Sequence, residues 1–412
     1  MKTHPSKTER LHALDSLRAI MMMLGIVLHS AITYIGGNPS PGWPTRDSTT
    51  DSALMEWILL IIHNFRMPIF MVIAGFFASL LFFERSPKRM LVNRMKRILF
   101  PFTVFLILLW PLVNASFWFS NQVFGFEDPL GDTKGSQLAN TFAATFTDLS
   151  ALIPERTMHL WFLYYLILFS IASYALAQLF KNFPVVTEKT TAILDVLLKR
   201  PLAKVVVSIV LTFGLLLFMN REWVATSLSF VPDLNTFVFY FFFYMCGWIL
   251  FKSKHLLSTF MKYDWALTIM GTAIYTAYFL VDTDSLAMEL HMLINATCVW
   301  LFIFGITGLF LRYFSNHSAR MRYISDSSYW VYLLHLPLTA LLPGVIGKWN
   351  APAIIKFSIV VLATTFICFL TYHYLVRSTF IGAFLNGRRY SRRISDIKKA
   401  ETLTQLKPAM DK

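Results

Sequence analysis

The sequence predicts an all-α, polytopic membrane protein with about ten transmembrane helices and both termini in the cytoplasm. Three observations predict it. The 412 residues are 56% hydrophobic and 15% charged, with a mean hydropathy of +0.55, whereas soluble domains carry about 25% charged residues. The apolar runs are about 20 residues long, which suits a helix crossing a bilayer and is about twice a barrel strand. Thirty of the 37 lysines and arginines fall in alternate connections, the asymmetry that orients membrane helices.

The runs place spans at about 13–35, 55–83, 98–117, 158–180, 203–219, 234–251, 265–281, 290–311, 325–345 and 353–375. The first carries Asp15 and Arg18 and lacks a small-residue cleavage site, so it is expected to be a retained helix rather than a signal peptide. The basic connections include Arg85, Lys88, Arg89, Arg94, Lys96 and Arg97 after span two, and nine residues from Arg377 onward. The opposite connections hold only Arg46, Lys134, Arg156, Arg221 and Lys348. Among them, residues 118–157 form the longest connection, polar and glycine-containing, suited to cover a site. Residues 1–380 are expected to form the membrane domain. Residues 381–412 read as a basic cytoplasmic tail suited to lie on anionic lipid. The net charge of +14 follows topology, so nucleic acid is not an expected partner. Cys246, Cys298 and Cys368 lie far apart in apolar runs and suggest neither a metal set nor a disulfide framework.

Chemistry is concentrated in a few intramembrane polar residues. Steps of three and four link Asp15, Arg18, Met22, Gly25 and His29 along one face of span one. Arg18 and His29 are about 16 Å apart on that face. Ionisable groups inside a membrane are costly and usually mark a pathway or a reaction site. Span two carries Glu56, His63 and Arg66 on one face, with Pro68 expected to kink it. Arg66 either binds an internal anionic partner or contacts substrate, because a buried guanidinium needs an anion or carbonyls. Arg94 and Arg97 share a face at the start of span three. They read either as a topology flank or as a clamp for a pyrophosphate. His159 and Trp161 open span four, where interfacial anchoring and site lining are both open. His335 lies mid-span in span nine, with Tyr332 one turn away to orient it. His373 is read as structural. Histidines spread over several spans without acidic or cysteine partners predict no metal site.

Taken in order, these motifs resemble the acyltransferase-3 family of membrane acyltransferases. They are Arg18-x10-His29 preceded by Asp15, His63-x-Phe-Arg66-Met-Pro68-Ile-Phe70 leading to Ala74-Gly75-Phe76-Phe77, and Arg94-x-x-Arg97. His159-Leu-Trp161-Phe-Leu and Tyr329-Trp-Val-Tyr332-Leu-Leu-His335-Leu-Pro337 complete the set. The phrases around residues 63–67 and 325–337 are most similar to the branch that succinylates periplasmic glucans.

The resemblance implies an O-acyltransferase of the bacterial inner membrane. Such an enzyme moves an acyl group, succinyl or acetyl, from cytoplasmic acyl-CoA to a hydroxyl of an extracytoplasmic glycan. It implies His29 as catalytic base and Arg18, Arg94 and Arg97 as donor-binding residues, with no tightly bound cofactor. The residues themselves are compatible with this. A pantetheine arm is about as long as the Arg18–His29 stripe, and Arg66 and His63 lie at a depth where they can serve the reacting carbonyl. Asp15, Glu56, His159, Trp161, Tyr332 and His335 are expected to line the substrate site. Acyl-CoA, a glycan acceptor and membrane lipid are the expected partners, with a homodimer left open. A proton-coupled secondary transporter using His29, His63 and His335 as a relay is the competing reading.

Overall fold

The computed structural model describes residues 11–40, 42–125, 152–281, 286–347 and 349–393, with 140, 143 and 396. The chain forms α1 (His12–Ile32), α2 (Ala53–Leu80), α3 (Pro87–Arg94), α4 (Phe100–Phe124), α5 (Trp161–Phe180), α6 (Pro184–Lys199) and α7 (Pro201–Met219). These are followed by α8 (Leu234–Leu250), α9 (Asp264–Leu280), α10 (Met288–Tyr313), α11 (Ala319–Ile346), α12 (Ala353–Thr371) and α13 (Phe380–Asn386). Local sequence explains many of the starts. Ser86 caps α3, accepting from the Arg89 N–H, with Pro87 at the first helical position. Asp233 accepts from the Thr236 N–H at 2.7 Å to cap α8.

Every expected span is helical, but the number able to cross a bilayer is smaller than ten. Among the described residues eight stretches are long and apolar enough, and nine if a bent pair is one span. The two that differ are α8 and α9, each 17 residues and thus about 25 Å long against a hydrocarbon core of about 30 Å. A bend of 109° separates α8 from the tight turn Lys254–Lys262. Hydropathy registers apolar residues but not such a bend. The amphipathic α6, within a basic connection, is too polar to read as a span and is an added helix.

Helix α1 sits against α2, α10, α11 and α12, and α11 in turn packs on α4 and α12. The α2–α8 crossing is close because both partners offer glycine. A Cβ on Gly75 would strike the Tyr244 carbonyl, and one on Gly247 would strike the Val72 carbonyl.

One end of the bundle gathers the arginines. There Ser325 Oγ donates to the Asp15 carbonyl at 3.3 Å. Tyr390 and Asn386 donate to the Asp326 carboxylate and carbonyl at 2.9 and 2.8 Å. Residues 380–393 therefore lie on the helical body. At the opposite end, the α1–α2 loop is pinned down at Asp47 and Thr49. Lys356 and Asp47 form a fully buried ion pair at 2.6 Å, and Lys356 also donates to Thr49 Oγ1 and the Gly347 carbonyl. The expected cover at 118–157 begins with α4 running on to Phe124. Most of the rest, and residues 394–395 and 397–412, lie outside the described residues.

Candidate active site

His29 sits in the last turn of α1. Its ring stacks on Trp43 at 5.3 Å with planes 12° apart. Trp43 is itself fixed, donating from Nε1 to Thr33 Oγ1 at 3.0 Å and standing edge-on to Phe117. His335 of α11 lies 5.2 Å from His29, centre to centre, and 5.3 Å from His159. His159 lies 5.4 Å from the Tyr332 ring. Helices α1 and α11 and the Met158–Leu160 turn thus bring distant residues into one imidazole cluster.

A cavity of about 370 Å³ reaches this cluster. Its wall includes His29, His63, His159, Trp161, Arg46 and Arg156. Apolar residues of α1, α2, α4 and α11 line its walls, and the α1–α2 loop with Thr226 and Leu228 lines its mouth, so the cavity opens at the end of the bundle opposite Arg18. Burial holds the Arg46 guanidinium below its ordinary pKa.

Two of these histidines are held in defined tautomers. His335 is 1% exposed, and its Nδ1 faces the carbonyls of Tyr332 at 2.6 Å and Val331 at 3.2 Å. A carbonyl only accepts, so Nδ1 carries the proton and Nε2 the lone pair. His159 is the mirror case: Nε2 donates to the Leu333 carbonyl at 3.2 Å, leaving the lone pair on Nδ1. Tyr332 does orient His335, but through its backbone carbonyl. Its hydroxyl donates instead to the His159 carbonyl at 2.6 Å.

Arg66 approaches the cluster from α2. An ideal Cβ on Gly25 would lie 3.1 Å from His335 Nε2 and 3.2 Å from Arg66 Nη1. The missing side chain therefore gives both groups their room. Arg66 Nη1 is buried with no hydrogen-bond partner among the described residues, and Nη2 meets only Met67 Sδ at 3.7 Å. No described carboxylate pairs with it, so the described residues do not make Arg66 half of an internal ion pair. A guanidinium so placed is suited to an anion or a polarised carbonyl. Glu56 is exposed in the first turn of α2, outside the cavity wall.

At the arginine end the expected residues divide. Arg18 pairs with Asp15 at 3.4 Å and lies over the Phe77 ring at 5.5 Å. Arg94 donates to the Ala74 carbonyl at 3.4 Å, keeps a buried Nε without a partner among the described residues, and is within electrostatic reach of Arg18. Arg97 turns away and donates to the carbonyls of Ala383 and Phe384 at 2.8 and 2.7 Å, at the C-terminal end of α13.

Sequence reasoning passed over Trp43, Arg46 and Arg156 as loop residues. The Gly42-Trp43-Pro44 phrase was the one available signal, a large aromatic held between turn-formers.

Fold and site together define a multi-pass membrane protein with a partly buried cluster of imidazoles and one guanidinium, the furnishings of proton transfer at an enclosed centre. The chain belongs to the acyltransferase-3 family, whose acyltransferase domain model matches residues 11–373. It is similar to Glucans biosynthesis protein C of Shigella dysenteriae serotype 1 (strain Sd197), 24% identical over 361 residues. It is equally similar to the protein of that name from Escherichia coli (strain K12), 24% identical over 364 residues. Both matches cover 84% of this chain and 88% of the relative. No solved structure matches the chain significantly. The protein is a membrane acyltransferase, and the family decides for the enzyme over the transporter.

Proposed function

We propose that this enzyme transfers an acyl group, succinyl or acetyl, from cytoplasmic acyl-CoA to a hydroxyl of a glucan on the other side of the inner membrane. The observation that carries this reading is the division of the molecule. Arg18 and Arg94 lie at one end, the cavity of about 370 Å³ opens at the other, and His29 stands between them on the same helix as Arg18. The relatives named for glucan biosynthesis favour a glucan acceptor. The arginine end is assigned to the cytoplasm because the basic connections collect in alternate segments of the sequence.

In this reading Arg18 and Arg94 hold the CoA phosphates by charge-assisted bonds. The pantetheine arm carries the thioester about 16 Å to His29. His29 takes the proton of the acceptor hydroxyl as that oxygen attacks the thioester carbon. The carbonyl oxygen becomes an oxyanion beside Arg66. When the tetrahedral intermediate collapses, the carbon–sulfur bond breaks, and the CoA thiolate takes the proton from the imidazolium. With a succinyl group, Arg66 is equally suited to the donor's far carboxylate.

The test is mass spectrometry of envelope glucans from cells carrying the wild type or His29→Ala. Acyl-substituted glucan is expected only with the wild type, both proteins being present in the membrane at equal level. Wild-type substitution by His29→Ala would remove His29 from the mechanism.

A further inference from the structure

We propose that His335 is the positioning residue of His29, its Nε2 lone pair accepting a hydrogen bond from His29 Nδ1–H. The proposal rests on the acyl-transfer reading above and adds how the base is held. Three observations converge on it. First, His335 has a single available tautomer, because the carbonyls of Tyr332 and Val331 both require a proton on Nδ1. Its Nε2 is therefore an acceptor, buried with no partner among the described residues. Second, His29 Nδ1 is likewise buried without a partner among those residues. A buried donor and a buried acceptor left apart are each costly. Third, the ring centres are 5.2 Å apart. One N–H···N bond of about 2.9 Å sets two imidazole centres about 5 Å apart. His335 is held by its backbone bonds, so His29 is the ring that turns to close the contact.

The consequence for the chemistry is definite. With its proton on Nδ1, His29 has its lone pair on Nε2, free to take the acceptor's proton. In many enzymes a carboxylate does this positioning. Here a carboxylate would pair with Arg66, whose Nη1 faces the same gap beside Gly25 as His335 Nε2. A neutral imidazole fixes the tautomer and leaves the guanidinium to the substrate. The other titratable groups facing this gap are His63 and Arg66 from α2, and His159 with Tyr332 on the far side of His335.

The test uses the purified full-length protein with acyl-CoA and glucan, and compares His335→Gln with His335→Leu. Gln keeps both an N–H for the backbone carbonyls and an oxygen acceptor, whereas Leu keeps neither. Expected for His335→Leu is a fall in kcat of about 100-fold, with KM for acyl-CoA within about twofold and the melting temperature close to wild type. His335→Gln is expected to recover part of kcat and to shift the pH of half-maximal activity. Wild-type kcat in His335→Leu, or a loss shared by kcat, KM and melting temperature that Gln does not relieve, would overturn the proposal. Should His335→Leu not fold, His335→Gln decides alone. A displaced pH profile supports the contact, and a wild-type profile overturns it. Failure here is separable from failure of the parent reading: an inactive His29→Ala beside a fully active His335→Leu removes only the positioning role.

Discussion

Gly25→Ala separates the site from the packing around it. Glycine in a helix interior is unfavourable relative to alanine by about 0.5–1 kcal/mol, so by propensity alone the change stabilises α1. Against this, the new Cβ would stand 3.1 Å from His335 Nε2 and 3.2 Å from Arg66 Nη1. Both are ends of side chains rather than backbone, so they yield by a few tenths of an ångström. Net stability should therefore stay within about 1 kcal/mol of wild type. Activity should not. A misplacement of 1 Å can lower a rate about 100-fold, so a few tenths correspond to about fivefold, or about 1 kcal/mol in the barrier. Gly25→Val, with two further methyl groups in the same gap, should lower kcat at least 100-fold. The assay is acyl transfer at saturating donor, read beside thermal unfolding in detergent. Wild-type kcat in Gly25→Val would refute the placement of the reacting groups beside Gly25. A parallel collapse of kcat and melting temperature would make the position a packing contact only.

Other positions give further tests. Arg94→Gln should raise KM for acyl-CoA about tenfold, the loss of one charge-assisted contact. Arg97→Gln should instead lower the melting temperature with little change in KM, since that side chain binds the end of α13. Equal effects on KM would mean that both arginines grip the donor. Lys356→Ala should destabilise the protein by about 3–5 kcal/mol, because it leaves the Asp47 carboxylate buried and unpaired. Thermal unfolding checks this, and a loss below about 1 kcal/mol would show that the pair is not an anchor of the α1–α2 loop.

Much of the site could be read from sequence because helical period is a strong constraint inside a membrane. The spacing of Arg18, Gly25 and His29 puts them on one face before any coordinates are known, and the cost of burying His63, Arg66 and His335 marks them. What sequence could not supply is contact across elements. Trp43 sits in a loop, and nothing local says that it stacks on His29. The Lys356–Asp47 pair joins residues 309 positions apart. Arg97 resembles Arg94 in pattern, yet its partner is a helix nearly 290 residues later. The bend after α8 escaped because composition carries no record of direction. The hold of Tyr332 on His335 runs through a backbone carbonyl, which every residue owns.

The most direct test of the account is sided acyl transfer in proteoliposomes of uniform orientation. Labelled acyl-CoA is supplied on the Arg18 side and glucan on the opposite side, where the His29 cavity opens. The account predicts labelled glucan under that arrangement and none with the two substrates exchanged. Transfer that required donor and acceptor in the same compartment would contradict it.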